Sequence, residues 1–338
     1  YDEDTLQLVF STTKGATASC LNLLIQRGLV DVDAPVATYW PEFAEAGKES
    51  IPVRWLMGHK AGLVTVDKSL SLEEVLAWDP IVEALAVQEP LWEPGTAHGY
   101  HAVTFGWLLG EVIRRVDGRG LGQFFHEEIA EPLGLEFWIG LPESEEPRVA
   151  PMLGGIAQDP SEMSDEARAL YEQFMGPESL LGRALTLNGA FGQSNWNSRE
   201  VHAAEIGAAN GITNARSLSR MYAGLAGPLE GAAGSPLYTR EQMDAARTTQ
   251  TSGPDKCLFF ETTFGLGYMT SSAFSPYGGA GSFGHAGAGG SVGFADPDNQ
   301  VAVGYVMNKM MQNLSGDPRT RGLIQASYEA VGAPIAFV

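Results

Sequence analysis

Cysteine is scarce in this chain: there are two in 338 residues, Cys20 and Cys257, far apart in sequence. Cys20 falls on an apolar helical stripe and reads as a small buried hydrophobe. A disulfide framework is therefore excluded as the basis of the fold, and a reducing compartment, the cytoplasm, is favoured. Long hydrophobic runs are missing as well. No stretch approaches the roughly 20 apolar residues that a spanning helix needs. The opening Tyr1-Asp2-Glu3-Asp4 is acidic, unlike a secretory leader. Basic residues are outnumbered, 21 Lys and Arg against 41 Asp and Glu, for a formal charge of −20. Such a surface repels phosphate backbones and anionic bilayers, which argues against nucleic acid and membranes as partners. His59, His98, His101, His126 and His202 are scattered, form no H-E-x-x-H, and do not pair with cysteine at ligand spacing. Neither a metal nor another cofactor is expected. Repeats and low-complexity tracts are also absent.

What is present is a chain long enough for one large domain or two closely packed lobes. Hydrophobic residues make up 44% and charged residues 18%, the balance of a soluble globular protein. Leu6 to Phe10 reads as a short strand running into a helix from Ser11, an N-cap type, to Arg27. Ala16, Cys20, Leu23 and Leu24 keep helical spacing there, and Gly28 ends it. Further helices are predicted over 53–57, 72–87, 100–116 and 121–129, after a cap at Thr213 or Asn214, and over 319–331. Residues 142–180 are acidic and poorly periodic, a surface excursion or lid. From Thr263 onward the period changes to two, with strands over 264–269, 281–285, 291–295 and 301–307 separated by Gly or Asp-Pro-Asp turns. Helices in the middle, with strands at both ends, predict an α/β (α+β) fold. An antiparallel sheet drawn from both chain ends is flanked by helices, with a mainly helical region inserted. The sheet lobe would take 1–35 and 212–338, and the helical lobe 36–211.

Three stretches carry chemistry. Ser11-Thr12-Thr13-Lys14 places a hydroxyl and an amine three residues apart, on one helical face and at a helix start. A serine is a poor nucleophile until a base takes its proton, and a partly desolvated lysine can serve. Lys14 is the only basic residue before Arg27 and sits on an otherwise apolar helix. Trp92-Glu93-Pro94-Gly95-Thr96 leads to Tyr100-His101-Ala102 at a loop–helix junction, where a phenol could share a proton with Ser11 and Lys14. Gly284-His285-Ala286-Gly287-Ala288-Gly289-Gly290 lies on a predicted strand in a region, 278–293, that is half glycine. Such a segment lets a ligand approach backbone N–H groups closely. Trp92 and Trp196 are placed nearest a substrate cleft, and Asn210, in Asn210-Gly211, is a further lining candidate.

Two rival nucleophile arrangements stand beside this one. Gly289-Gly290-Ser291-Val292-Gly293 matches G-x-S-x-G, but Ser291 leads into a strand and no histidine follows His285. A Ser11–His285 dyad completed by Asp296 is the other.

In this order the motifs resemble the penicillin-recognising serine hydrolases, over nearly the whole chain. The nearest likeness is to class C β-lactamase-like proteins and family VIII carboxylesterases. LVFSTTKG resembles the nucleophile motif, IPVRWLMGHKAGL the helix and turn after it, and WEPGTAHGYHAV through EPLGL the tyrosine region. FGHAGAGGSVGFADP is similar to the segment carrying Lys-Thr-Gly in β-lactamases. The resemblance implies a β-lactamase/transpeptidase-like fold, Ser11 as the acylated nucleophile, Lys14 assisting proton removal, and Tyr100 as general base or proton shuttle. It implies an oxyanion hole from the N–H groups of Ser11 and Ala288, with His285 and Gly287 in the substrate pocket. Tyr100-His101-Ala102 lacks the asparagine of the classical second motif, and His285-Ala286-Gly287 replaces Lys-Thr-Gly. Both departures point to a small neutral ester, cleaved by a carboxylesterase-type serine hydrolase. A β-lactamase or D,D-peptidase is the alternative, and a non-catalytic protein of the same fold is the alternative from another class. A homo-oligomer is compatible with the sequence. Only ten residues precede Ser11, where the family carries further strands and a helix, so the chain reads as amino-terminally truncated.

Overall fold

In the computed structural model the described residues are 1–154, 163–192, 194–227 and 236–336. Part of the 142–180 excursion, residues 155–162, lies outside them.

The helix Thr13–Gln26 runs through the middle of the molecule, and every residue from Thr13 to Leu24 is buried. A helix buried on all sides must satisfy its polar side chains internally. Thr17 Oγ1 donates to Gly207 O at 2.5 Å, and Ser19 Oγ donates to Gly15 O at 2.7 Å. Asn22 Nδ2 reaches Ala18 O and Leu266 O, both at 2.9 Å. Lys14 is the one ionisable side chain of basic type on this helix. Helix Thr104–Asp117 packs beside it and ends at Gly118, whose φ of 93° gives the left-handed C-cap that glycine tolerates.

The carboxyl-terminal strands form a six-stranded antiparallel sheet. Counting β1 (Gln7–Leu8), β2 (Phe137–Trp138) and β3 (Ile212–Thr213) first, it runs β4 (Thr251–Pro254), β5 (Glu261–Phe264), β6 (Met269–Thr270), β7 (Phe283–Ala286), β8 (Val292–Asp296) and β9 (Val301–Tyr305) in chain order. The register pairs His285 with Gly293 and Gly293 with Gly304. This row lies on one face, together with Phe283, Ala295 and Ala302. Helix Ala215–Ala226 presses on that face so closely that a Cβ on Gly293 would stand 2.5 Å from the Tyr222 ring. The opposite face carries Val292, Phe294 and Val303, packed with Ile324 and Tyr328 of helix Pro318–Val331. Alternation thus points His285 toward the helix that bears Lys14.

Several expectations are corrected. The leading strand does not join the main sheet; β1 pairs with β3, which also pairs with β2, in a separate three-stranded sheet. The helix expected over 72–87 is two, Leu72–Leu76 and Asp79–Val87, broken at Trp78 with φ 71°. A Ser71–Glu74 capping box starts the first and a proline in the first turn starts the second. The strand expected over 264–269 is the tight turn between β5 and β6, and β4 was unforeseen. Both cysteines are free and buried. No helix among the described residues is long and apolar enough to cross a membrane.

Candidate active site

Ser11 lies in a single 3-10 turn, Phe10–Thr12, and Thr12 is the N-cap of the helix that follows. Phe10 takes φ 44°, a left-handed conformation that costs a non-glycine residue about 1 kcal/mol or more. The surroundings hold it there. Thr13 Oγ1 donates to Phe10 O at 2.5 Å and accepts from Gly211 N–H at 2.8 Å. Val9 N–H donates to Gly211 O at 2.9 Å. Ser291 Oγ donates to Val9 O at 2.7 Å and touches Thr12 Oγ1 at 3.0 Å. The serine of the rival G-x-S-x-G thus fastens the Ser11 turn to β8. Gly287 seats against the same turn, since a Cβ there would fall 2.2 Å from Val9 O.

Lys14 is fully buried, and its Nζ has three neighbours: Ala102 O at 2.6 Å, Ala208 O at 2.9 Å and Ser11 Oγ at 3.1 Å. Burial holds its pKa well below the ordinary lysine value. Two carbonyls orient two N–H bonds and leave the third direction of the nitrogen facing Ser11. The Tyr100 ring lies 4.8 Å from Nζ. Burial pushes the Tyr100 phenol above its ordinary range, and a hydrogen bond with the Ser11 side chain pulls the other way without cancelling that. Tyr100 sits in the loop before helix Thr104–Asp117, four residues short of its first turn, where a helix start was expected.

His285 stacks against Tyr100 at 6.1 Å, donates from Nδ1 to Ala286 O at 2.7 Å, and leaves Nε2 without a hydrogen-bond partner among the described residues. Burial pushes its pKa down to about 3, so the ring is neutral at physiological pH. Its Nδ1 bonds Ala286, while Asp296 bonds Tyr328 and Asn299, so the Ser11–His285–Asp296 relay is not assembled.

Ser11 opens on a cleft of about 420 Å³ whose wall includes Phe10, Met152, Phe191, Trp196 and Ala288. Among the described residues, no Asp, Glu, Lys, Arg or His lines it. The Ala288 N–H makes no hydrogen bond to the described residues, and Ser11 stands at a helix start, where amides lack intrahelical partners. Tyr171 and Leu185, from the 163–192 stretch, close one side.

Ser11, Lys14, Tyr100, His285 and Ala288 are therefore brought together, while four of the expected pocket residues, His285 included, stand off the cleft wall. Trp92 is off the wall, its Nε1 bonded to Ala97 O at 3.2 Å and its ring against Gly99. Asn210 is fully buried and spent on backbone, donating to Val201 O and Ala204 O and accepting from Ile206 N–H. Gly287 is buried against the Ser11 turn, and His285 is buried beside Tyr100, and neither is part of the cleft wall. Sequence reasoning missed His59 and Asp255. His59 carries φ 59°, is fully buried, and accepts at Nδ1 from His101 N–H at 3.1 Å. Only the Gly58-His59-Lys60-Ala61-Gly62 turn hinted at it.

A central helix with a serine–lysine pair at its head, set against an antiparallel sheet that brings a glycine-rich strand to the serine, defines the β-lactamase/transpeptidase-like class. The chain belongs to the beta-lactamase family, whose model matches residues 1–327. It is a hydrolase of the β-lactamase fold. The Mycobacterium tuberculosis protein called esterase/beta-lactamase LipL is 35% identical over 324 residues, covering 93% of this chain and 72% of its own length. A penicillin-binding protein homolog from Caulobacter crescentus is similar in structure, with 37% identity and a TM-score of 0.86 over 98% of this chain and 85% of that one. A family VIII carboxylesterase matches with 37% identity and a TM-score of 0.85, over 97% and 84% of the two chains.

Proposed function

We propose that the protein cleaves small, uncharged carboxylic esters by two-step acyl transfer, with Ser11 as the nucleophile. The observation that carries this reading is a buried Lys14 amine 3.1 Å from Ser11 Oγ, on a cleft whose described lining residues include none that is charged. The neutral amine keeps two N–H bonds on Ala102 O and Ala208 O and turns its lone pair to the Ser11 hydroxyl. As Oγ adds to the ester carbonyl, the hydroxyl proton passes to Nζ. The bond to the alkoxy oxygen then breaks, and the proton reaches the leaving alcohol through the Tyr100 phenol. Because burial keeps that phenol protonated, Tyr100 acts as a relay and not as a standing phenolate. The tetrahedral oxyanion is received by the N–H groups of Ser11 and Ala288, each donor of this kind being worth about 3–4 kcal/mol. Water repeats the sequence on the acyl-enzyme and frees Ser11.

The preference for neutral substrates follows from the same wall. A carboxylate in the cleft would find no cation among the described lining residues, and His285 stays neutral until about pH 3. The resemblance to a relative called esterase/beta-lactamase favours a second reading, β-lactam turnover at the same serine.

Intact-mass spectrometry after fluorophosphonate treatment tests the nucleophile. The parent gains one adduct and Ser11→Ala gains none; a labelled Ser11→Ala ends the reading, and an unlabelled, folded parent points to a non-catalytic protein. Tyr100→Phe should acylate more slowly. Hydrolysis of p-nitrophenyl butyrate without nitrocefin turnover separates the ester from the β-lactam reading.

A further inference from the structure

The segment that carries Tyr100 is extended, and its residues alternate between two loops. On one side Gly99 N–H donates to His59 O at 3.1 Å and His101 N–H to His59 Nδ1 at 3.1 Å. His101 Nε2 accepts from Leu63 N–H at 3.1 Å, which leaves its Nδ1 hydrogen for Gly99 O at 2.8 Å. On the other side lies the β4–β5 loop. Lys256 N–H donates to His98 O at 3.0 Å, and the Tyr100 N–H donates at 3.1 Å to a side chain, Asp255 Oδ1. Odd residues thus face the His59 turn, and even residues face the Asp255 loop.

Asp255 is buried, with 3% of its surface exposed. The same Oδ1 accepts from Cys257 N–H at 2.8 Å and Leu258 N–H at 2.9 Å, and Oδ2 accepts from Thr262 Oγ1 at 3.2 Å. Thr262 Oγ1 in turn meets His98 Nε2 at 2.9 Å, and His98 lies 3.9 Å from Oδ2. A buried carboxylate is costly unless its oxygens are saturated by donors, and here three backbone amides and a hydroxyl saturate it. Two of the amides belong to its own loop and the hydroxyl to β5; the third amide belongs to Tyr100. A shorter or apolar side chain would close neither side of this junction.

We propose that Asp255 is a positioning residue for Tyr100, clamping its backbone so that the phenol meets the Ser11 hydroxyl and the Lys14 amine. The inference rests on the proposed role of Tyr100. Nothing else in the described structure takes the Tyr100 N–H, so loss of the clamp frees the loop at the residue whose placement matters. Asparagine keeps an oxygen for the three amides, and its amide group can face Thr262, so it should restore most of what alanine removes.

The test is a double-mutant cycle on p-nitrophenyl butyrate hydrolysis and on the fluorophosphonate acylation rate, with each variant's melting temperature recorded. Asp255→Ala should lower kcat at least tenfold with KM within about twofold. Asp255→Asn should lie within about fivefold of the parent. In a Tyr100→Phe background, Asp255→Ala should add less than a twofold further loss, because the phenol it positions is gone. If Tyr100→Phe acylates at the parental rate, the proposed proton relay fails. If Tyr100→Phe is slow but Asp255→Ala multiplies that loss in full, the relay stands and the positioning role is overturned. Should Asp255→Ala not fold, Asp255→Asn decides alone: a folded Asp255→Asn as slow as Tyr100→Phe overturns the clamp.

Discussion

The charge state of Lys14 can be read from stability. In the unfolded chain a lysine binds its proton up to about pH 10.4. In the folded protein Lys14 is wholly buried and held well below that value; a Lys14 that serves Ser11 as a neutral base, as proposed, leaves the folded state one proton short across neutral and mildly alkaline pH. Where the unfolded state binds more protons, unfolding free energy rises with pH, at about 1.4 kcal/mol per unit for one proton. Between pH 7.0 and 8.5 Lys14 should therefore contribute a rise of about 2 kcal/mol that Lys14→Met lacks. Other buried groups also bind protons differently in the folded and unfolded states. Burial brings Lys48 down to about 8, and burial pushes the Cys20 thiol up. Both variants share these groups, so subtracting the two curves removes them. Urea unfolding of parent and Lys14→Met at pH 7.0, 7.75 and 8.5, analysed at a common m-value, gives the difference. Curves that stay parallel within about 0.5 kcal/mol, well inside the expected 2, would mean a charged Lys14 in the folded state. That would remove it as the base for Ser11.

Three further outcomes follow from the packing. A Cβ on Gly15 would fall 2.1 Å from Tyr222 Oη and 3.1 Å from its Cζ, so Gly15→Ala should cost about 1–3 kcal/mol. Adding Tyr222→Phe, which removes the colliding oxygen, should recover part of the lost melting temperature; no recovery would refute the collision. Asn210→Ala breaks three buried backbone contacts and should destabilise by about 2–4 kcal/mol, while the folded fraction keeps the parental KM for p-nitrophenyl butyrate. A raised KM without loss of stability would return Asn210 to the pocket. Since His285 is neutral until about pH 3, the ratio of kcat/KM for a neutral ester to that for a sulfonate-bearing analogue should stay level from pH 8 to 5. A gain for the anionic ester on acidification would show a cation forming in the cleft.

Legibility from sequence followed the range of the interaction. The helix Val53–Met57 and the helix capped by Asn214 came out where periodicity and capping residues placed them, since both signals are local. The break at Trp78 and the turn over Gly265 to Tyr268 were missed, because apolar side chains continue through them and the backbone changes direction underneath. Asn210 and Trp92 were misplaced for a related reason: a polar or aromatic residue beside a loop reads alike whether it faces a cavity or ties down backbone. Asp255 left no signal at all. Its partners are amides, which every residue carries, and the one that matters is 155 residues away in sequence.

What the sequence determined by itself was the serine–lysine pair, because i and i+3 on a helix are neighbours whatever surrounds them, together with the order of the tyrosine and glycine-rich segments. What only the tertiary structure decided was the state of that pair. Carbonyls from residues 102 and 208 converge on the Lys14 amine, and complete burial disfavours its charge. Desolvation depends on everything packed around a group, and no local pattern of residues records it.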